Sequence, residues 1–86
     1  MPEISRFYGI VIKMFFDEHN PPHFHAFYGG DNVLIDINTL AVFAGRFPPR
    51  ALGLVIEWAT IHQQELLRNW EKARLHEPLT EIEPLK

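Results

Sequence analysis

Residues 23–37 read HFHAFYGGDNVLIDI, and the fold follows from this stretch. His23 to Tyr28 is an apolar, aromatic run that ends at Gly29-Gly30-Asp31-Asn32, residue types that tolerate the positive φ of a tight hairpin. From Asn32 to Ile37, Val33, Ile35 and Ile37 alternate against Leu34 and Asp36, the period of two expected of a half-buried strand. Leu40 to Ala44, reached through Asn38-Thr39, is a further apolar run, so three antiparallel strands follow one another as a meander. Upstream, Gly9 to Phe16 (GIVIKMFF) supplies the first strand, with Ile10, Ile12, Met14 and Phe16 on one face and Val11, Lys13 and Phe15 on the other. Asp17-Glu18-His19-Asn20-Pro21-Pro22 connects it to the hairpin. Its prolines withhold backbone donors and push Asn20 and Pro21 toward extended conformations.

The pattern changes after Gly45. Pro48-Pro49 can open a helix at its first turn, where a missing N–H costs nothing. From Arg50 to His76 an apolar stripe runs through Leu52, Val55, Ile56, Ala59, Leu66, Trp70 and Ala73, widened by Leu54, Trp58 and Ile61. The stripe predicts one helix of about 26 residues, roughly 39 Å long. A small sheet cannot cover that length, so its charged second half is expected to project or to meet a partner. Pro78 stops the helix, and Leu79 to Lys86 reads as an extended tail with Leu79, Ile82 and Leu85 as apolar teeth. The expected fold is α+β, an antiparallel sheet of three to four strands with one long C-terminal helix packed on one face. It forms a single domain, 1–86, divided into a β-rich 1–47, a helical 48–77 and an extended tail 78–86.

Eighty-six residues leave no room for a second domain, and with no Cys the fold rests on packing, for which 13% aromatic residues are available. A net charge of −3 disfavours non-specific binding to a phosphate backbone, leaving only a local basic patch for nucleic acid. The charge split shows no asymmetry between the halves: residues 1–50 carry four basic and five acidic groups, residues 51–86 four and six. The start, MPEISRFYG, has no basic segment followed by an apolar core, and no apolar run approaches the ~18 residues of a membrane span. A cytoplasmic protein without membrane contact is the expectation.

Three of the five His lie within seven residues, His19, His23 and His25 in HNPPHFH. Strand alternation points His23 and His25 to the same face, roughly 6.6 Å apart along the strand. Two imidazoles so placed can share a divalent metal such as zinc, with His19 or His62 as a third ligand and one position open. They can equally serve as catalytic acid and base. The third reading is structural, with one His bonded to backbone and the other packed beside Phe27. Elsewhere, His62 and Glu65 form a helical His-x-x-Glu pair whose commoner role is a surface hydrogen bond. Asp36 is a carboxylate near the His face or the polar side of an exposed strand. Arg46 and Arg50 bracket the start of the helix and offer the best basic pocket for an anion. No Ser-His-Asp order, Gly-rich phosphate loop or zinc-finger spacing occurs.

HNPPHFHAFYG, the opening PEISRFYGI, the hairpin VLIDI and the C-terminal EW, ELLRNWEKA and EPLTEIEPL together resemble a small bacterial family, domain of unknown function 4160, over nearly the whole chain. Its signature maps onto His19, Asn20, Pro21, Pro22, His23, Phe24 and His25. The turn after Asp36, which carries Gly in the family, here has Asn38-Thr39-Leu40. The resemblance implies no activity, but it implies pairing with an adjacent-gene small protein in a toxin-antitoxin-like module. Two functions are therefore carried forward. In the first, an interaction protein uses His19, Asn20, Pro21, Pro22, Phe24, Arg46 and Arg50 at its binding surface. Phe7, Tyr8, Phe15, Phe24, Phe27, Tyr28, Trp58 and Trp70 are more large side chains than one sheet-helix layer readily buries. In the second, a small hydrolase or ribonuclease-like toxin uses His23 and His25, with or without a metal, and Arg46 or Arg50 at the phosphate. Exposed strand edges and the apolar tail also predict homo-oligomers, by strand addition or by tail exchange.

Overall fold

The computed structural model describes residues 3–86; Met1 and Pro2, the start of the 1–47 segment and of the amino-terminal motif, lie outside the described residues. The chain is α+β. Strands β1 (Glu3–Phe7), β2 (Ile10–Lys13), β3 (His23–Tyr28), β4 (Asp31–Asp36) and β5 (Val42–Arg46) precede helices α1 (Pro49–Ile61) and α2 (Gln63–Arg74). All neighbouring strands are antiparallel in the order β1-β2-β3-β4-β5, so the meander holds but has five strands among the described residues where three to four are expected.

The unexpected strand is β1. A register shift between Glu3 and Ser5 buries Ile4, Ser5 and Phe7, and this bulge removes the alternation by which a strand is recognised. Gly9 belongs to the turn and not to a strand: Tyr8 (φ 52°) and Gly9 (φ 80°) form a two-residue hairpin turn between Phe7 and Ile10. The last strand also moves. Leu40 takes a left-handed conformation (φ 60°) in the turn, where its N–H donates to the Asp36 carbonyl at 2.8 Å. The Asp36 carboxylate accepts from the N–H groups of Asn38 and Thr39 at 2.7 and 3.0 Å. Asp36 thus serves the turn that has no glycine. β5 then runs through Gly45 (φ 86°), where a Cβ would lie 2.3 Å from the Asn32 carbonyl oxygen.

One sheet face carries the core. Ile10, Ile12, Phe24, Ala26, Val33 and Ile35 meet Val55, Trp58, Ala59 and Leu66, each no more than 1% exposed. A fully buried aliphatic side chain of this kind stabilises the fold by about 1.5–3 kcal/mol. The opposite face presents Val11, Lys13, His25, Phe27 and Leu34, all half-buried.

The single long helix is corrected to two. His62 (φ −112°, ψ 24°) interrupts it, although the His62 N–H still donates to Trp58 and the Leu66 N–H to His62, so the break is a kink rather than a loop. Gln63 Nε2 ties the kink to the β4–β5 turn by donating to the carbonyls of Ile37 (2.6 Å) and Asn38 (3.0 Å). A straight rod of roughly 39 Å would overrun a molecule whose longest extent is 33 Å. The kink instead brings Leu66, Trp70 and Ala73 onto the core, so the second half of the helix does not project. Among the described residues no helix is long and apolar enough to cross a membrane.

Candidate metal centre

β3 places His23 and His25 on the same side of the strand, as the alternation requires, with ring centroids 5.4 Å apart. The β2–β3 connection returns over that side and brings Glu18 between them. His25 Nε2 lies 2.6 Å and His23 Nε2 3.1 Å from the same carboxylate oxygen, Glu18 Oε1. One ligand atom from each of the three residues lies within 4.8 Å of the others. His19 is exposed and stands outside this group, so the third position expected of it falls to its neighbour. His62 is occupied elsewhere, with Nδ1 2.5 Å from Glu65 Oε1. Glu18 was hidden in sequence because Asp17-Glu18 reads as turn chemistry, and only the returning loop gives it a partner.

Aromatic rings wall the centre. His23 packs against Trp70 of α2 at 5.2 Å and edge-on to Phe43 of β5 at 5.4 Å. Phe15 meets His25 edge-on at 4.6 Å, and Phe27 stacks parallel to it at 6.2 Å. The His23 side chain is 6% exposed, that of His25 15%. Beside Glu18 opens a cleft of about 230 Å³ lined by Phe15, Asp17, Trp70, Ala73 and Arg74.

The hydrogen bonds fix the tautomer of His23. Its Nδ1 is 2.8 Å from the Pro21 carbonyl, which can only accept, so Nδ1 carries the proton. In a neutral ring, Nε2 then directs a lone pair at a carboxylate oxygen, and two acceptors face one another inside an aromatic wall. A proton or a cation between them resolves the conflict. An N–H donated to a backbone carbonyl, with the other nitrogen free, is also how metal-binding imidazoles are held in orientation. Burial, the largest single influence on the Glu18 carboxyl, pushes its pKa up, but hydrogen bonds and charge from His25 and His23 together hold it below the ordinary 4.5. The donor set is thus two imidazole nitrogens and one ionised oxygen.

The other sequence candidates scatter. Phe24 is fully buried against Trp58 and serves the core, not a contact surface. Asn20 and Pro21, joined by a cis peptide bond, are exposed at the loop crest, and Pro22 is half-buried. Arg46 and Arg50 are exposed, and Arg50 lines a separate shallow cleft with Tyr8 and Tyr28. Among the described residues no hydrogen bond or ion pair joins either Arg to the histidines; the cation that borders the Glu18 cleft is Arg74. Of the large aromatics expected to outnumber the available core, Phe7, Phe24, Trp58 and Trp70 are buried.

No curated protein and no solved structure matches the chain. The family model described as domain of unknown function, DUF4160, matches residues 9–71, which include the whole Glu18–His23–His25 centre, and the chain belongs to that family.

Proposed function

We propose that the protein is a small metal-dependent domain of hydrolase type, with Glu18, His23 and His25 holding a zinc-class divalent ion and the adjacent cleft receiving the substrate. The observation that carries this reading is the His23 Nδ1–H bond to Pro21, which aims Nε2 at Glu18 Oε1 3.1 Å away and, in the neutral ring, sets two acceptors face to face. Tetrahedral ligands at about 2.1 Å from zinc lie roughly 3.4 Å from one another, so the His23 pair is close to that spacing and the His25 pair needs less than about 1 Å of opening. Two nitrogens and one carboxylate leave a position for water, and a bound ion of this class supplies a nucleophile at neutral pH. Arg74, already paired with Glu71 at 2.7 Å, borders the cleft with Asp17 and Glu18, and this balance of charge opposes a long polyanion; a small substrate fits the cleft better than RNA.

Zinc should bind with one-to-one stoichiometry by calorimetry and raise the melting temperature. At a free concentration a hundred times Kd the stabilisation is about 2.7 kcal/mol. Glu18→Gln and His25→Ala should each remove both effects and any metal-dependent cleavage of a chromogenic phosphodiester. Zinc binding without cleavage would leave a structural metal and exclude the hydrolase.

A second reading has its own support. All five residues of β5 are exposed at the sheet edge, including Val42 and Phe43 at 40% and 46%. An open edge of this kind suits strand addition by the adjacent-gene small protein of a toxin-antitoxin-like pair. Co-expression should then give a co-purifying complex weakened by Phe43→Ala, and separate elution of the two proteins at micromolar concentration would count against it.

A further inference from the structure

The far edge of the sheet, β1, is not open. Residues 77–86 pass beside it as an extended strap held through main-chain groups. The Asn69 amide grips Thr80 on both sides: Nδ2 donates to the Thr80 carbonyl at 2.8 Å, and the Thr80 N–H donates to Oδ1 at 2.9 Å. Trp58 Nε1 donates to the Glu83 carbonyl at 2.8 Å, and the Ile82 N–H donates to the Ile4 carbonyl at 2.8 Å. Ile82 is 4% exposed, with Leu79 and Leu85 half-buried on either side. A groove that holds backbone by side-chain amide and indole, and takes an apolar tooth at every third residue, is built to bind an extended peptide.

The strap reaches the groove through a strained hinge. α2 closes with the Glu77 N–H donating to the Lys72 carbonyl and the His76 N–H to the Ala73 carbonyl, the bonding of a Schellman motif. The residue in the left-handed position of that motif is normally Gly; here it is His76, at φ 57°. Its ring contacts, Nε2 2.8 Å from an Asp17 carboxylate oxygen and a stack on Phe16, are made by a His side chain 61% exposed. Glu77 precedes Pro78, which favours extended backbone at the same hinge. Short hinges under strain favour exchange of the segment they carry, because opening relieves the hinge while every groove contact can be remade on another copy.

We infer that the groove between β1 and the two helices is a peptide site whose occupant in solution is residues 79–85 of a second copy, exchanged reciprocally across a two-fold axis. The inference does not rest on the metal reading, although the hinge borders that centre: His76 contacts Asp17, which lines the cleft beside Glu18. Its test uses two full-length chains, one carrying Glu83→Cys and the other Glu57→Cys, exposed positions that line the same end of the groove in a protein with no other Cys. A bifunctional thiol reagent links the two chains only where the strap of one lies on α1 of the other. Light scattering from about 10 µM to 1 mM should show the mass rising from 10.1 kDa toward twice that, with linked dimers accumulating in parallel. His76→Gly, which removes the left-handed penalty from the closed form of each of the two chains, should weaken the dimer roughly thirtyfold. A single-chain mass throughout, or a dimer that never links, would overturn the proposal. Linked dimers indifferent to His76→Gly would overturn the role of the hinge.

Discussion

Replacing Asn69 with Ala tests whether the strap is part of the folded unit. Asn69 is 1% exposed, and both ends of its amide are spent on Thr80. Each such bond contributes a net of about 0.5–1.5 kcal/mol, so losing two of them costs about 2 kcal/mol, before any penalty for the small void left beside Thr80 and Ile82. For a domain of this size that corresponds to a fall in Tm of roughly 8–16 °C. Urea unfolding followed by tryptophan fluorescence reads the change directly. Asn69→Asp should be at least as damaging, because it keeps the acceptor for the Thr80 N–H but turns a carboxylate toward the Thr80 carbonyl. Thr80→Val should cost less than about 1 kcal/mol, since it gives up only an exposed bond from Lys72 Nζ while the backbone contacts of Thr80 remain. A loss under about 0.5 kcal/mol for Asn69→Ala, or an Asn69→Asp as stable as the parent, would refute the reasoning.

Gly45→Ala should cost about 3 kcal/mol or more, from left-handed strain and a Cβ driven against the Asn32 carbonyl, and an unchanged urea midpoint would contradict the β5 geometry. Phe24→Ala should lose about 3–5 kcal/mol in the same assay; a fully stable variant would show that the ring is not the core element its burial indicates. Phe43→Ala, by contrast, should change stability by less than about 1 kcal/mol; because the ring also lies edge-on to His23, an unchanged zinc affinity must accompany any loss of the complex for it to report on the β5 edge. Glu18 has a folded pKa below 4.5, so its share of stability is complete above that value and is lost as pH falls through the lower, folded one. In chelator the acid limb of Glu18→Gln should therefore be shallower than that of the parent, and parallel limbs would contradict the pairing.

Alternation carried most of the sheet: the faces assigned to Ile10, Ile12, Val33 and Ile35 are the faces they occupy, and His23 and His25 do share a side. β1 escaped because its bulge puts Ile4 and Ser5 inward in succession, and no period-two pattern survives that. The kink escaped because His62 carries none of the Gly or Pro punctuation that marks a helix end; its cause is tertiary, the grip of Gln63 on the β4–β5 turn. At the centre, spacing selected the two histidines, whereas Glu18 depends on a loop whose return path is fixed by contacts rather than by local propensity. Arg46, at the end of β5, and Arg50, in the first turn of α1, bracket the helix start as their spacing indicates, both exposed, and among the described residues neither is bonded to the imidazoles.

The metal reading rests on where one proton sits. Nitrogen-15 spectra of the imidazole rings in full-length protein, recorded near neutral pH with and without one equivalent of zinc, locate it. The Nδ1–H tautomer of His23 is expected in both states, with the Nε2 resonances of His23 and His25 moving together on zinc addition and returning with chelator. A proton on Nε2 of neutral His23, or spectra unchanged by zinc, would contradict a metal centre at Glu18, His23 and His25.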